Sequence, residues 1–138
     1  MPRAPGGRYR GRVNGAYVAV VDDEAPVRTA LRRLLRLAGY DVVTFDDGDA
    51  FLASLIARRP ACVLLDVHMQ GLTGFGVQAR LNEAGWQIPS IFITASDDPT
   101  LDESARQVGA TQLLRKPFSN AALLAAVVIA LGTKPKAS

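Results

Sequence analysis

The chain has a single cysteine, Cys62, so no intrachain disulfide can form. Its place inside an apolar run reads as a small buried hydrophobe. No apolar run approaches the ~20 residues that a membrane-spanning helix needs. The arginines near the amino terminus are not followed by an apolar signal core, so secretion is not expected and the reading is a cytoplasmic protein. Histidine is almost absent as well: His68 is the only one. Hydrophobic periodicity is missing from Met1 to Asn14, which is rich in Gly, Pro and Arg and is expected to be a disordered tail. Its four arginines can give only salt-sensitive, nonspecific attraction to nucleic acid, so no specific nucleic-acid binding is expected.

Negative charge is not lacking, although the formal net charge is +3. Arg3, Arg8, Arg10, Arg12, Lys134 and Lys136 lie at the two ends. The remaining 10 basic residues face all 13 acidic ones, which leaves the body at −3. The basic character therefore belongs to the tails. With 49% apolar and 21% charged residues, the 138-residue chain has the balance of one globular domain with a sizeable core.

Strand-like and helix-like patterns alternate through that body. Strands are expected at Tyr17–Val21, Asp41–Phe45, Ala61–Leu65, Ser90–Thr94 and Leu113–Arg115. In the first helix Val27, Leu31, Leu34, Leu35 and Ala38 recur at helical spacing, with Arg28, Arg32, Arg33 and Arg36 on the other side and Gly39 as the stop. The second helix is expected over Ala50–Arg58 with Phe51, Leu52, Leu55 and Ile56 inward. The third follows Gly71 and Gly74 and reaches about Asn82. The fourth opens on Asp98-Pro99 and ends near Gly109, and the last is capped by Ser119 and runs to about Leu131. Five βα units argue for a parallel sheet with helices on both faces, a doubly wound α/β domain over residues 16–131 between tails at 1–15 and 132–138. No other internal repeat is present.

Four of these strands end in reactive side chains: Asp22 and Asp23, Asp66, Thr94, and Lys116 just past Arg115. Parallel strands share a direction, so these residues meet along one edge, where ligands of such sheets bind. Three carboxylates that close repel one another and raise at least one pKa. A hard divalent cation such as Mg²⁺ relieves this, because it prefers carboxylate and water oxygens and often binds through carboxylates plus phosphate. With a cation, the Lys116 ammonium and the Thr94 hydroxyl to share developing charge, one carboxylate can attack phosphorus and form an aspartyl phosphate. Asp66 stands alone at a central strand end and is the candidate nucleophile. Asp22 and Asp23 are the candidate metal pair.

The segments Val20-Val-Asp22-Asp23-Glu24, Leu65-Asp66-Val-His-Met69 with Gly71 and Gly74, Ile93-Thr94-Ala95 and Lys116-Pro117-Phe118 resemble the signature of response regulator receiver domains. Val27-Arg-Thr-Ala-Leu-Arg-Arg-Leu-Leu and Ile88-Pro-Ser-Ile-Phe-Ile-Thr are most similar to receivers that precede helix-turn-helix transcription domains. The resemblance implies a flavodoxin-like (βα)5 fold with strand order 2-1-3-4-5 and a phosphoacceptor at Asp66 served by a sensor histidine kinase or histidine phosphotransfer protein. It implies Mg²⁺ held by Asp23, Asp66 and the backbone carbonyl of His68, with Asp22 acting through water. Thr94 and Lys116 would contact the phosphoryl group, and Lys116-Pro117 would be cis. Such a protein is not a turnover enzyme but a phosphoacceptor with at most self-phosphorylation and dephosphorylation activity.

Three positions depart from the family pattern. Leu113 stands where receivers usually carry an aromatic ring, so the usual readout by ring burial is not available. Gln70 replaces a proline, which is expected to loosen the loop and add a polar group. His68, two residues past Asp66, borders with Ser96 the water path to the acyl phosphate and is expected to affect its lifetime. The last helix is apolar beyond one stripe, which suits a homodimer or an output protein. Two other functions use the same residues: an interaction module that keeps the fold without switching, and a small phosphohydrolase, which would want a second aspartate where His68 stands.

Overall fold

The computed structural model describes residues 16–110 and 112–132. The readings for residues 1–15 and 133–138 lie outside them. Five strands form one parallel sheet in the order β2-β1-β3-β4-β5: β1 (Val18–Val21), β2 (Val42–Phe45), β3 (Cys62–Asp66), β4 (Ser90–Thr94) and β5 (Gln112–Arg115). The helices between and after them are α1 (Ala25–Leu37), α2 (Gly48–Ser54), α3 (Gly74–Glu83), α4 (Thr100–Gln107) and α5 (Asn120–Leu131).

Alternation along each strand divides the core in two. Ala19, Val21, Val63, Leu65 and Phe92 point to one face, with Phe51 of α2 and Val77 and Leu81 of α3. Val18, Val20, Cys62, Leu64, Ile91 and Ile93 point to the other, with Leu31 and Leu35 of α1 and Leu123 and Val127 of α5. Every residue of β1, β3 and β4 is buried, as strands covered on both sides require. Each fully buried Leu, Ile or Phe contributes about 1.5–3 kcal/mol. Burial also drives the Cys62 thiol up to about 12, so it stays protonated and inert.

Local chemistry sets the helix boundaries. Gly39 takes φ 101°, and the Tyr40 N–H returns to the Leu35 carbonyl, closing α1 where a side chain at Cβ would be strained. The Ser119 hydroxyl accepts the Ala122 N–H and starts α5. The Asp98 carboxylate accepts from the Thr100 N–H and hydroxyl just ahead of α4, and the hydrogen bond from the Thr100 N–H leads in lowering its pKa. The N-cap position itself falls on Pro99, one residue later than the sequence indicates, and carries no side-chain cap bond.

The second helix differs from its expected span. Asp47 accepts the Ala50 N–H and starts it at Gly48 rather than Ala50. At the other end the Ser54 hydroxyl donates to the Phe51 carbonyl at 2.6 Å, and Leu55 turns back to Leu52. The helix therefore stops at Ser54 instead of Arg58. Ile56, expected inward, is 92% exposed because that tightened turn takes it off the helical face. In α5, Leu123, Ala126, Val127 and Ala130 form the buried stripe, and Val128 and Ile129 are 60% and 57% exposed.

Candidate functional site

All five strands run toward the same edge, and the candidate residues collect there. Asp22 follows the last residue of β1, and its N–H bonds the Phe45 carbonyl at the end of β2. Asp66 closes β3 and pairs with Ile93 in the ladder. A carboxylate oxygen from each of Asp22, Asp23 and Asp66 lies within 4.8 Å of the others. Lys116 follows β5, with its N–H on the Thr94 carbonyl at 2.7 Å and its ammonium 3.9 Å from Asp22 Oδ2. The Lys116–Pro117 bond is cis, as the resemblance implies.

These groups are held by the backbone around them. Asp22 Oδ1 accepts the Glu24 N–H at 2.9 Å, and Asp66 Oδ1 faces the His68 N–H at 3.3 Å. Asp23 Oδ2 accepts the Gln70 N–H at 3.1 Å. Gln70 thus fastens its loop to the site through the main chain, where the sequence suggested a looser loop. A proline at this position could not donate that bond.

Above the carboxylates opens a cleft of about 760 Å³, bordered by Asp23, Asp66, His68, Gln70, Ala95 and Lys116. Asp22 and Thr94 lie beneath its wall, 1% and 0% exposed. The Thr94 hydroxyl accepts the Ser96 N–H at 3.0 Å. Of the sequence candidates, Asp22, Asp23, Asp66, His68 and Lys116 come together, while Thr94 sits beside them with its hydroxyl turned to its own loop.

Burial raises the Asp66 pKa to about 6, reinforced by the Asp22 charge and only partly offset by Lys116 and the His68 N–H. Asp22 is raised too, again mainly by burial. Two carboxyls forced toward their neutral forms, with one ammonium among three acids, make a donor set that suits a hard divalent cation.

Sequence reasoning missed the rest of the rim. Arg28, assigned to the outer face of α1, donates from Nη1 to the Asp22 carbonyl at 2.7 Å and borders the cleft. Asp46 and Asp47 border it from the end of β2. They follow their strand as Asp22 and Asp23 follow β1, so the strand-end rule applied to β2 would have found them.

A doubly wound sheet in this strand order, with an acidic triad and a lysine at the carboxyl edge, defines a class of flavodoxin-like α/β domains whose ligand edge is acidic. The model for the response regulator receiver domain matches residues 18–128, and the chain belongs to that family. It is 42% identical over 118 residues to the transcriptional regulatory protein TdiR of Thauera aromatica, covering 86% of this chain and 52% of that protein. It is 36% identical to the response regulator protein TmoT of Ectopseudomonas mendocina, covering 99% of this chain and 63% of that one. The chain thus spans about half to two thirds of the length of these relatives. Among solved structures, FixJ-N aligns with a TM-score of 0.82 at 29% identity, over 91% of this chain and 100% of the other. A receiver protein from Burkholderia phymatum aligns at 0.77 and 46% identity, over 87% and 98%.

Proposed function

We propose that this receiver domain accepts a phosphoryl group on Asp66 from a sensor histidine kinase or a histidine phosphotransfer protein. The observation that carries the reading is the meeting of Asp22, Asp23 and Asp66 within 4.8 Å beside Lys116. An Asp66 carboxylate oxygen attacks phosphorus, the P–N bond to the donor histidine breaks, and the imidazole nitrogen leaves with the electron pair. Lys116 stands ready to neutralise phosphoryl charge, and Thr94, once released from Ser96, can donate its hydroxyl to a phosphoryl oxygen. Asp22, Asp23, Asp66 and the His68 carbonyl would hold Mg²⁺. When bound, Mg²⁺ neutralises negative charge on the phosphoryl oxygens and lets Asp66 ionise.

The domain is a phosphoacceptor rather than a turnover enzyme, placed in the cytoplasm and signalling by protein contact. Val128 and Ile129 of α5 are its candidate contact for an output protein or a second copy. His68, exposed on the cleft rim, tunes phosphoryl lifetime, and an unchanged dephosphorylation rate in His68→Ala would remove that role. Incubation with acetyl phosphate and Mg²⁺ followed by intact mass measurement tests the main reading. The expected result is a phosphoryl mass gain that Asp66→Asn abolishes. No gain under any condition favours the second reading, a receiver-fold interaction module, which Leu113 supports because an aliphatic side chain cannot provide the aromatic readout.

A further inference from the structure

The carboxyl edge of the sheet holds Asp22, Asp23, Asp46, Asp47 and Asp66, and the opposite end of the molecule is basic. Helices run antiparallel to the strands they follow, so their last turns and the ensuing loops lie at the amino edge. Arg36 occupies the last turn of α1 and Arg80 the last turn of α3. Arg58 and Arg59 lie between α2 and β3. The acidic residues at these helix ends and loops are Asp41 and Glu83.

Two of the arginines are fixed on aromatic rings. The Arg58 guanidinium lies 4.3 Å from the centroid of Tyr17, whose hydroxyl donates to the Arg58 carbonyl at 3.2 Å. The Arg59 guanidinium lies 5.3 Å from the centroid of Trp86 and donates to the Gln87 carbonyl at 2.9 Å. Stacking engages a guanidinium by its face, while its N–H donors lie along the edge in the planar fork that matches phosphate oxygens.

Both ends of the described chain also leave from here. Ala16 precedes β1 and Gly132 follows α5. Outside the described residues the sequence carries Arg3, Arg8, Arg10, Arg12, Lys134 and Lys136. In the first segment Tyr9 stands between Arg8 and Arg10 among glycines, a composition suited to phosphates and bases along an extended strand. It has no apolar run to insert into lipid, although Leu37 and Ile56 are exposed at the same end.

We infer that the amino-edge end of the domain, centred on Arg58 and Arg59, binds the phosphate backbone of nucleic acid without sequence preference. The acidic cleft at the other end repels the same polyanion, so the two functions use opposite poles. The test is fluorescence anisotropy of the full chain with a labelled mixed-sequence oligonucleotide of about 20 nucleotides, single-stranded and duplex, between about 50 and 200 mM salt. Binding should weaken steeply with salt. Arg58→Gln with Arg59→Gln should weaken it about tenfold and flatten the log–log salt slope by about one to two. The same charge change at Arg32→Gln with Arg33→Gln, mid-helix in α1, should weaken it less than threefold. Circular dichroism and acetyl phosphate labelling of both variants report on folding and on the other pole. Absence of binding, an unaffected Arg58/Arg59 variant, tighter binding to phosphatidylserine vesicles than to either oligonucleotide, or self-association that accounts for the signal would each overturn the inference.

Discussion

The Gln70 main-chain N–H donates to Asp23 Oδ2 at 3.1 Å, tying the loop after β3 to the loop after β1. That carboxylate belongs to the proposed metal pair, so the bond competes with a cation for it. A single hydrogen bond is worth about 0.5–1.5 kcal/mol net, or roughly 2- to 12-fold in affinity. Gln70→Pro removes the donor and should tighten Mg²⁺ binding several-fold by calorimetric titration. Gln70→Ala keeps the N–H and should bind as the parent does. Equal or weaker binding by the proline variant would show that the bond positions Asp23 rather than occupying it.

The proposed phosphoacceptor makes stability depend on pH. Asp66 is raised from 3.8 to about 6 in the folded chain, chiefly by burial. The folded state therefore holds the proton more tightly than the unfolded state. The stabilisation is complete below about pH 4 and is lost as pH rises through about 6. Removing the charge reverses the loss, so Asp66→Asn should melt a few degrees higher than the parent at pH 7 and alike near pH 4. After allowance for solvent in the open cleft, the difference is about 1–2 kcal/mol. Mg²⁺ should narrow the gap at pH 7 by stabilising the parent. A less stable asparagine variant at pH 7 would contradict the assignment.

Arg115 links β5 to the segment that follows Thr94. It donates to the Ser96 carbonyl from Nε at 3.1 Å and to the Asp98 carbonyl from Nη2 at 2.7 Å, and it pairs with Asp102 of α4 at 3.1 Å. Leu113 is half-buried against the core and has no ring to turn inward. With this clamp in place, a phosphoryl mimic should produce only small amide-exchange changes across α4 and β5. Arg115→Ala should raise exchange at residues 96–102 about tenfold or more, since charge-assisted bonds contribute about 1.5–3 kcal/mol. Large mimic-induced changes on that face in the parent chain would count against a clamped readout.

The sheet and the acidic triad were legible because both rest on local rules. Apolar runs at Cys62–Leu65 and Ser90–Ile93 mark strands buried on two sides, and a carboxylate after such a run must sit at the sheet edge. The misreadings have physical causes that local patterns do not carry. Ile56 keeps helical spacing, yet the Ser54 hydroxyl closes α2 two residues before it. Gln70 meets Asp23 across 47 residues of sequence, a relation set by the order of β1 and β3. Arg28 lies at the end of α1 nearest the site, where a polar-face assignment ignores how close a first turn comes to the strand it follows.

Gly74 shows how tightly α3 is set against the site. Its N–H bonds the Val67 carbonyl, and a Cβ there would lie 2.5 Å from the Asp66 carbonyl oxygen and 3.2 Å from Val67 Cα. Both neighbours are backbone, so Gly74→Ala must push the helix away from β3 or displace Asp66. Overpacking of this kind costs about 1–3 kcal/mol, against at most about 1 kcal/mol that alanine returns in helix propensity. The variant should melt several degrees lower and label more slowly with acetyl phosphate. Gly76→Ala is the control: its Cβ would meet the Leu72 Cδ1 methyl at 2.6 Å, the far end of a side chain that can rotate aside. Gly76→Ala should therefore be the milder change in both measurements. If the two alanines behave alike, the close approach of α3 to the Asp66 carbonyl does not constrain the site.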